Sequence, residues 1–197
     1  MKRSFLYFSG ILIALLVIIL ISVISSYNSL VRLNENRLSA WGNVEAAYQR
    51  RSDLIPNLVN VVKGAASFEQ ETLTKVIEAR AKATSVTIKS EELNEASMQK
   101  FKEAQEGLNS ALARLMVVVE KYPELKSNEN FLQLQSQLEG TENRISVERR
   151  NFNETVKGFN TMVRRFPESL IAGFRGFREA QYFESVEGSD KAPQVKF

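Results

Sequence analysis

The sequence contains neither cysteine nor histidine, and its 197 residues include only four prolines and nine glycines. Without cysteine or histidine the chain cannot build a disulfide, a thiolate nucleophile, an imidazole base or a Cys/His zinc site. A di-iron site of the helix-bundle type is excluded as well, because it requires histidine. The glycines form no phosphate-binding loop of the GxxxxGKS, GxxxxGKT or GxGxxG kind. We therefore predict a non-catalytic protein with no cofactor and no metal site.

The basic residues only slightly outnumber the acidic ones. The sequence has 26 Lys and Arg against 23 Asp and Glu, a formal net charge of +3. Two of the 26, Lys2 and Arg3, precede a long apolar stretch, which leaves 24 basic against 23 acidic residues elsewhere. A phosphate-binding surface requires a clustered excess of Lys and Arg. We therefore expect that the chain binds no nucleic acid.

A long uncharged stretch opens the chain. No charged residue occurs between Ser4 and Val31, and residues 5–24 are rich in Phe, Leu, Ile and Val. A helix of about twenty apolar residues crosses the hydrocarbon core of a bilayer. The alternative is a cleaved secretory signal, but the stretch is longer than a typical signal core and no A-x-A site follows it. Residues 1–27 are therefore predicted to be a transmembrane anchor in the lipid bilayer, with its apolar core at 5–24.

Basic residues on the two sides of this anchor indicate its orientation. Lys2, Arg3 and the α-amino group precede it, whereas the residues that directly follow it contain only Arg32 and Arg37. Cytoplasmic flanks of membrane helices carry an excess of Lys and Arg. This favours an N-terminus inside and the rest of the chain outside.

Residues 28–167 show a helical period of apolar residues throughout, without strand-like alternation. The pattern divides into four segments, which end at Gly64, at Ser85, at Pro123 and at Pro167, where Phe166 closes the last apolar stripe. The second segment is expected to begin at Ser67 or Phe68 and the third near Glu91. Two of the segments are about 30 to 37 residues long, or roughly 45 to 55 Å as helices. The predicted fold is all-α: a single N-terminal transmembrane helix followed by an elongated antiparallel four-helix bundle.

Three residues are predicted to have structural roles in the first segment. Trp41 is expected to anchor the core. Pro56, in the string Asp53-Leu-Ile-Pro-Asn57, falls inside the segment. Because proline disrupts a helix interior, we expect a kink or a local break near Ser52–Ile55, with Pro56 able to open a new helix. Asp53 and Pro56 together would bend the first helix onto the second.

Residues 168–197 form an aromatic-rich C-terminal segment with interspersed Gly and Pro. Its aromatic side chains either fold back into the end of the bundle core or form an exposed patch that a neighbouring subunit or partner covers. The arginine pairs of the chain either form ion pairs that fix the register of the bundle or bind anionic lipid headgroups or an acidic partner. The candidate interaction surface comprises Arg164, Arg165, Phe174, Phe177, Tyr182 and Phe183.

Two long ungapped strings identify a family. They are Arg50-Arg51-x-Asp53-Leu-Ile-Pro-Asn-Leu-Val59 and Leu138-Glu-Gly-Thr-Glu-Asn-Arg-Ile145. On these strings the chain resembles the LemA family over residues 27–197. The family commonly reads Tyr-Asn where this chain has Phe152-Asn153 and Phe159-Asn160. Phenyl keeps the packing volume of the phenol and removes its hydroxyl, which favours a packing role at both positions.

The resemblance implies a bacterial, single-pass protein of the cytoplasmic membrane with a bundle of long antiparallel helices. It supplies no catalytic residues, and the family's molecular activity is poorly defined. We hypothesise a membrane-anchored scaffold or adaptor of the bacterial envelope that associates with copies of itself. The alternative is a regulatory or accessory subunit of a membrane enzyme, such as a zinc metalloprotease in an envelope stress response, because the family is linked genetically to such a protease.

Overall fold

The computed structural model describes residues 2–64, 69–88 and 92–183, and within them all the long elements are helices. The expected helix starts at Ser67 or Phe68 and at Glu91, and residues 184–197 of the C-terminal segment, lie outside the described residues. The all-α prediction is confirmed for this part of the chain. Its helices are α1 (Lys2–Lys63), α2 (Gln70–Ser85), α3 (Glu95–Val119), α4 (Pro123–Lys126), α5 (Glu129–Arg164) and α6 (Glu168–Arg175).

Helix α1 joins the apolar stretch to the rest of the protein without interruption. It contains 62 residues and is therefore about 93 Å long at 1.5 Å per residue. Its large apolar side chains from Ile11 to Ile24 are exposed, and among the described helices α1 is the one long and apolar enough to cross a membrane. The helix runs through the predicted boundary between Tyr27 and Asn28. The apolar stretch and the first packed segment thus belong to one continuous helix.

Pro56 lies inside α1, yet the helix continues to Lys63. The expectation of a break with a new helix at Pro56 is therefore wrong. Proline has no N–H, so it leaves the carbonyl of Ser52, four residues earlier, without its helical partner. Arg80 of α2 donates its Nε–H to this carbonyl at 2.8 Å. Because Ser52 is buried, the guanidinium replaces a hydrogen bond that water could not readily supply.

The long helices pack in two pairs, α1 with α5 and α2 with α3. Trp41 contacts Phe152, and ten residues further along α1 Arg51 reaches Glu142, ten residues earlier on α5. Residue numbers therefore rise along α1 while those of their partners fall along α5. In the second pair, the Gln105 amide donates to the Ala83 carbonyl at 3.3 Å.

Local signals fix where α3 and α5 begin. Asn94 precedes α3, accepts a hydrogen bond from the Ser97 N–H at 3.1 Å and donates its own N–H to the Ser97 hydroxyl at 3.0 Å. This reciprocal capping box satisfies two N–H groups at the helix start. Asn128 precedes α5 and accepts from the Phe131 N–H at 3.1 Å. The turn between these helices is occupied by the short helix α4, which Pro123 opens.

Apolar side chains form two buried clusters along the molecule. One surrounds Trp41, which is 1% exposed and packs its indole against the rings of Phe101 and Phe152 with centroids 5.4 Å away in each case. The other cluster lies further along α1 and includes Ile55, Leu58, Val62, Leu73, Val76, Leu108, Leu115, Phe131 and Leu138. Asp53 is not part of either cluster: it is exposed and accepts a hydrogen bond from the Gln49 amide at 2.7 Å.

Candidate interaction surface

The chain reverses direction after α6 at Gly176. This glycine has φ of +78°, in the left-handed region that glycine adopts without a Cβ penalty. Its N–H and that of Phe177 bond back to the last turn of α6, the latter to the Ala172 carbonyl at 2.9 Å. Residues 177–183, here called the return segment, then run non-helically along α5.

Two asparagines of α5 hold the return segment through its backbone. Asn160 donates its amide to the Ala180 carbonyl at 2.9 Å and accepts from the Ala180 N–H at 2.8 Å. Asn153 makes the same pair of bonds to Phe183, at 2.9 and 2.7 Å. Asn153 and Asn160 are seven residues apart, which is about 10.5 Å along a helix. Their partners Ala180 and Phe183 are three residues apart, which is about 10 Å along an extended chain, so the two spacings match. The clamps therefore fix the register of the return segment, and asparagine is the residue that offers both a donor and an acceptor.

Two aromatic residues of the predicted surface are packed inward. Phe183 is 4% exposed, its ring stacks on Trp41 at 6.3 Å, and the Arg149 guanidinium lies 4.2 Å from its centroid. Phe177 is half-buried, with its ring 6.2 Å from those of both Tyr27 and Phe159. Phe183 therefore joins the core cluster around Trp41, as the folding-back alternative expects, and Phe177 packs against Tyr27 and Phe159 beside it.

The other four predicted surface residues face outward. Tyr182 and Phe174 are 39% and 89% exposed. The exposed guanidinium groups of Arg164 and Arg165 lie 3.9 Å from Glu179 and Glu168, at the limit of an ion pair. The structure thus divides the predicted surface into two packed and four exposed side chains. None of the six has a contact that identifies a partner.

Two exposed residues lie outside the surface that the sequence predicted. Phe166, predicted to close the apolar stripe of the fourth helix, is instead 75% exposed, because α5 ends before it at Arg164. Leu170 is 66% exposed. Phe166, Leu170 and Phe174 follow one another at intervals of four residues. That spacing was the sequence signal that could have added Phe166 and Leu170 to the predicted surface.

The most deeply buried charge belongs to Arg51, which lies between the two apolar clusters. It is 2% exposed and donates to Gln105 at 2.7 Å, to Glu142 at 3.0 Å and to Asn109. Its guanidinium also lies 5.0 Å from the Tyr48 ring centroid. The expected pairing of arginines with acidic residues between helices is confirmed for Arg51 and Glu142. These contacts connect α1, α3 and α5, and therefore fix their relative register.

Titratable side chains near the core respond to burial. Burial raises the pKa of the Glu45 carboxyl, although the Ile88 N–H, which donates to it at 3.3 Å, and the Trp41 side chain lower it. Burial likewise raises the pKa of the Tyr48 hydroxyl. In residues 2–64, 69–88 and 92–183, no three Asp or Glu side chains come together as a metal site would require. Packing against the core therefore explains the raised pKa values of Glu45 and Tyr48. Groups with a purely structural role also have shifted pKa values, so these two do not by themselves indicate a catalytic site.

Comparisons with known proteins agree with the family resemblance that residues 50–59 and 138–145 indicated. The LemA family model matches residues 40–197. Magnetosome protein MamQ 2 of Paramagnetospirillum magneticum is 27% identical over an alignment 202 positions long, which covers 90% of this chain and 74% of that protein. Magnetosome protein MamQ of Magnetospirillum gryphiswaldense is 25% identical over an alignment 201 positions long, which covers 91% of this chain and 74% of that protein. Protein LemA of Metamycoplasma hominis is 24% identical over 160 residues, covering 81% and 69%.

Proposed function

Because the chain belongs to the LemA family, we propose that it is a membrane-anchored, non-catalytic scaffold or adaptor that associates with copies of itself. The observation that carries this proposal is the continuity of α1. One helix runs from the exposed apolar side chains at Ile11–Ile24 into the buried core around Trp41. Seventeen residues, or about 25 Å of helix, separate Ile24 from Trp41. A scaffold needs such a fixed connection, because it presents a binding surface at a defined height above the membrane.

The bundle in this proposal is elongated and antiparallel, and consists of the outer part of α1 with α2, α3 and α5. The α1–α5 register, in which Trp41 meets Phe152 and Arg51 meets Glu142, supports it. The bonds from Arg51 to Gln105 and from Gln105 to Ala83 link the α1–α5 pair to α3 and α2. Polar contacts between all four helices oppose sliding of one helix along another.

The absence of turnover is supported by the bonds of four polar side chains in and beside the core. Arg51, Gln105, Asn153 and Asn160 each bond to protein partners. The side-chain atoms that make these bonds stabilise the packing and are not available to bind a substrate. The proposed location is the bacterial cytoplasmic membrane, with the N-terminus inside, as the basic residues Lys2 and Arg3 suggest.

Gentle purification of the full-length chain from membranes tests this function. Light scattering in detergent gives the protein mass, and the co-purified proteins are identified at the same time. We expect a discrete multiple of the 22.3 kDa chain mass without another stoichiometric component. A single chain bound to one stoichiometric hydrolase would instead support the regulatory subunit of a membrane protease. A bare monomer would contradict self-association.

A further inference from the structure

Three large apolar side chains form an exposed stripe on and before α6. Phe166, Leu170 and Phe174 are 75%, 66% and 89% exposed. In the same helix Ala172 is 1% exposed and faces the bundle. At about 100° per residue, Leu170 and Phe174 point roughly away from Ala172. Large apolar side chains that are exposed within one short segment, with charged residues beside them, mark an interaction surface.

The position of α6 along α1 indicates what this stripe contacts. The Arg175 guanidinium lies 4.6 Å from the Tyr27 ring centroid, and the Phe177 ring lies 6.2 Å from it. Tyr27 follows Ile24, the last exposed large apolar residue of the anchor, by three residues or about 4.5 Å of helix. The headgroup layer extends about 5 to 7 Å beyond the hydrocarbon core on each side. Helix α6 therefore lies at the depth of the lipid headgroups.

The register of α5 shows how α6 is oriented. Trp41 meets Phe152, so the twelve further residues of α5 to Arg164 bring its end about level with Ser29. The Ser169 N–H donates to the Arg165 carbonyl at 2.7 Å, so α6 begins close to that level. It ends beside Tyr27, so the height changes by only about 3 Å over a helix about 12 Å long. The helix must therefore lie across the end of the bundle, nearly parallel to the membrane plane. Its inner face covers the bundle, and the stripe faces the bilayer.

The charges around the stripe fit an anionic lipid surface. Residues 164–179 contain four arginines, Arg164, Arg165, Arg175 and Arg178, against the two acidic residues Glu168 and Glu179. The two ion pairs, Arg165 with Glu168 and Arg164 with Glu179, are both 3.9 Å long, and both arginines are exposed. Arginines at the headgroup level attract anionic lipids, and aromatic side chains are favoured at the same depth.

We propose that α6 is an interfacial amphipathic helix, whose stripe of Phe166, Leu170 and Phe174 inserts into the leaflet from which the bundle projects. The inference rests on the proposed membrane anchoring of α1. The bundle then has two membrane contacts, one that spans the bilayer and one that lies on it. Two contacts fix the tilt of the bundle relative to the membrane, which one helix alone does not.

Spin labelling tests the proposal, because the chain has no cysteine and a single introduced thiol carries the only label. Three positions have almost equal exposure: Leu170 at 66%, Ile18 in the anchor at 67% and Val117 on α3 at 68%. Each full-length Cys variant is labelled and reconstituted in vesicles of phosphatidylcholine with phosphatidylglycerol. Collision of the nitroxide with oxygen, which concentrates in lipid, is compared with collision with a water-soluble nickel chelate.

We expect the label at Leu170→Cys to collide preferentially with oxygen, as at Ile18→Cys, and the label at Val117→Cys to collide preferentially with nickel. A nickel preference at Leu170→Cys beside an oxygen preference at Ile18→Cys would overturn the α6 proposal and leave the anchor intact. A nickel preference at Ile18→Cys would overturn the anchor and with it this inference. Protection of Leu170→Cys from both reagents would also overturn it, because a protein partner would then cover the stripe.

Discussion

Loss of the Arg80 guanidinium should destabilise α1 at Pro56. Arg80→Met keeps most of the apolar stem and removes the Nε–H that bonds to the buried Ser52 carbonyl. A hydrogen bond from a charged group contributes about 1.5 to 3 kcal/mol. Because Arg80 is half-buried, we expect the lower end of this range, about 1.5 kcal/mol.

The same substitution should cost less when Pro56 is absent. In Pro56→Ala the backbone N–H of residue 56 returns and bonds to the Ser52 carbonyl, as in an ordinary helix. Arg80 is then no longer needed as the donor, and Arg80→Met should cost only about 0.5 kcal/mol. The double-mutant cycle should therefore yield a coupling of about 1 kcal/mol between two residues 24 positions apart in sequence.

Urea unfolding of the full-length chain in detergent micelles measures all four free energies. The single tryptophan, Trp41, lies in the core among Phe101, Phe152 and Phe183, so its fluorescence follows bundle unfolding. Equal costs of Arg80→Met in both backgrounds would refute the idea that Arg80 compensates for the proline. Lys82→Met, the loss of an exposed basic side chain on the same helix as Arg80, serves as a control that should show no coupling to Pro56→Ala.

Three further substitutions test other parts of the structure. Trp41→Ala should cost about 3 kcal/mol or more, because it empties the centre of an aromatic cluster; an unchanged calorimetric melting temperature would contradict its placement. Asn160→Ala should release the return segment, seen as faster hydrogen exchange of the Ala180 amide, whereas Lys157→Ala on the exposed side of α5 should leave that exchange unchanged. Burial raises the pKa of Glu45, so its contribution to stability is fully present below the ordinary glutamate pKa and is lost as pH rises through the raised value. Glu45→Gln should accordingly raise the urea midpoint at neutral pH and leave it nearly unchanged at about pH 4; an equal effect at both pH values would refute the raised pKa of Glu45.

The long apolar period was sufficient to predict the helices but not their connections. Trp41, Leu108 and Phe152 lie on stripes with helical spacing, and all three are buried. Pro56 illustrates the limit of local rules. Its effect on α1 depends on Arg80, which is on another helix and bonds to Ser52 only after folding. No local pattern around Pro56 contains that information.

The C-terminal segment was difficult for a related reason. Its aromatics are similar in composition, yet Phe183 is buried and Phe174 is exposed. The difference comes from Asn153 and Asn160, whose side chains fix the return segment against α5 and so decide which ring reaches the core. A polar residue on a helix surface carries no sequence signal that its partner is a distant backbone.

A distance across the junction of anchor and bundle tests the scaffold most directly. Ile18 and Asn36 are both exposed and lie eighteen residues apart on α1, which is five turns of helix, so they share a face at a separation of about 27 Å. Pulsed electron spin resonance on the doubly labelled Ile18→Cys, Asn36→Cys chain in vesicles measures this separation. We expect one narrow distribution at about 27 Å. A broad or much shorter distribution would mean that α1 bends at the membrane surface and cannot hold the bundle in place.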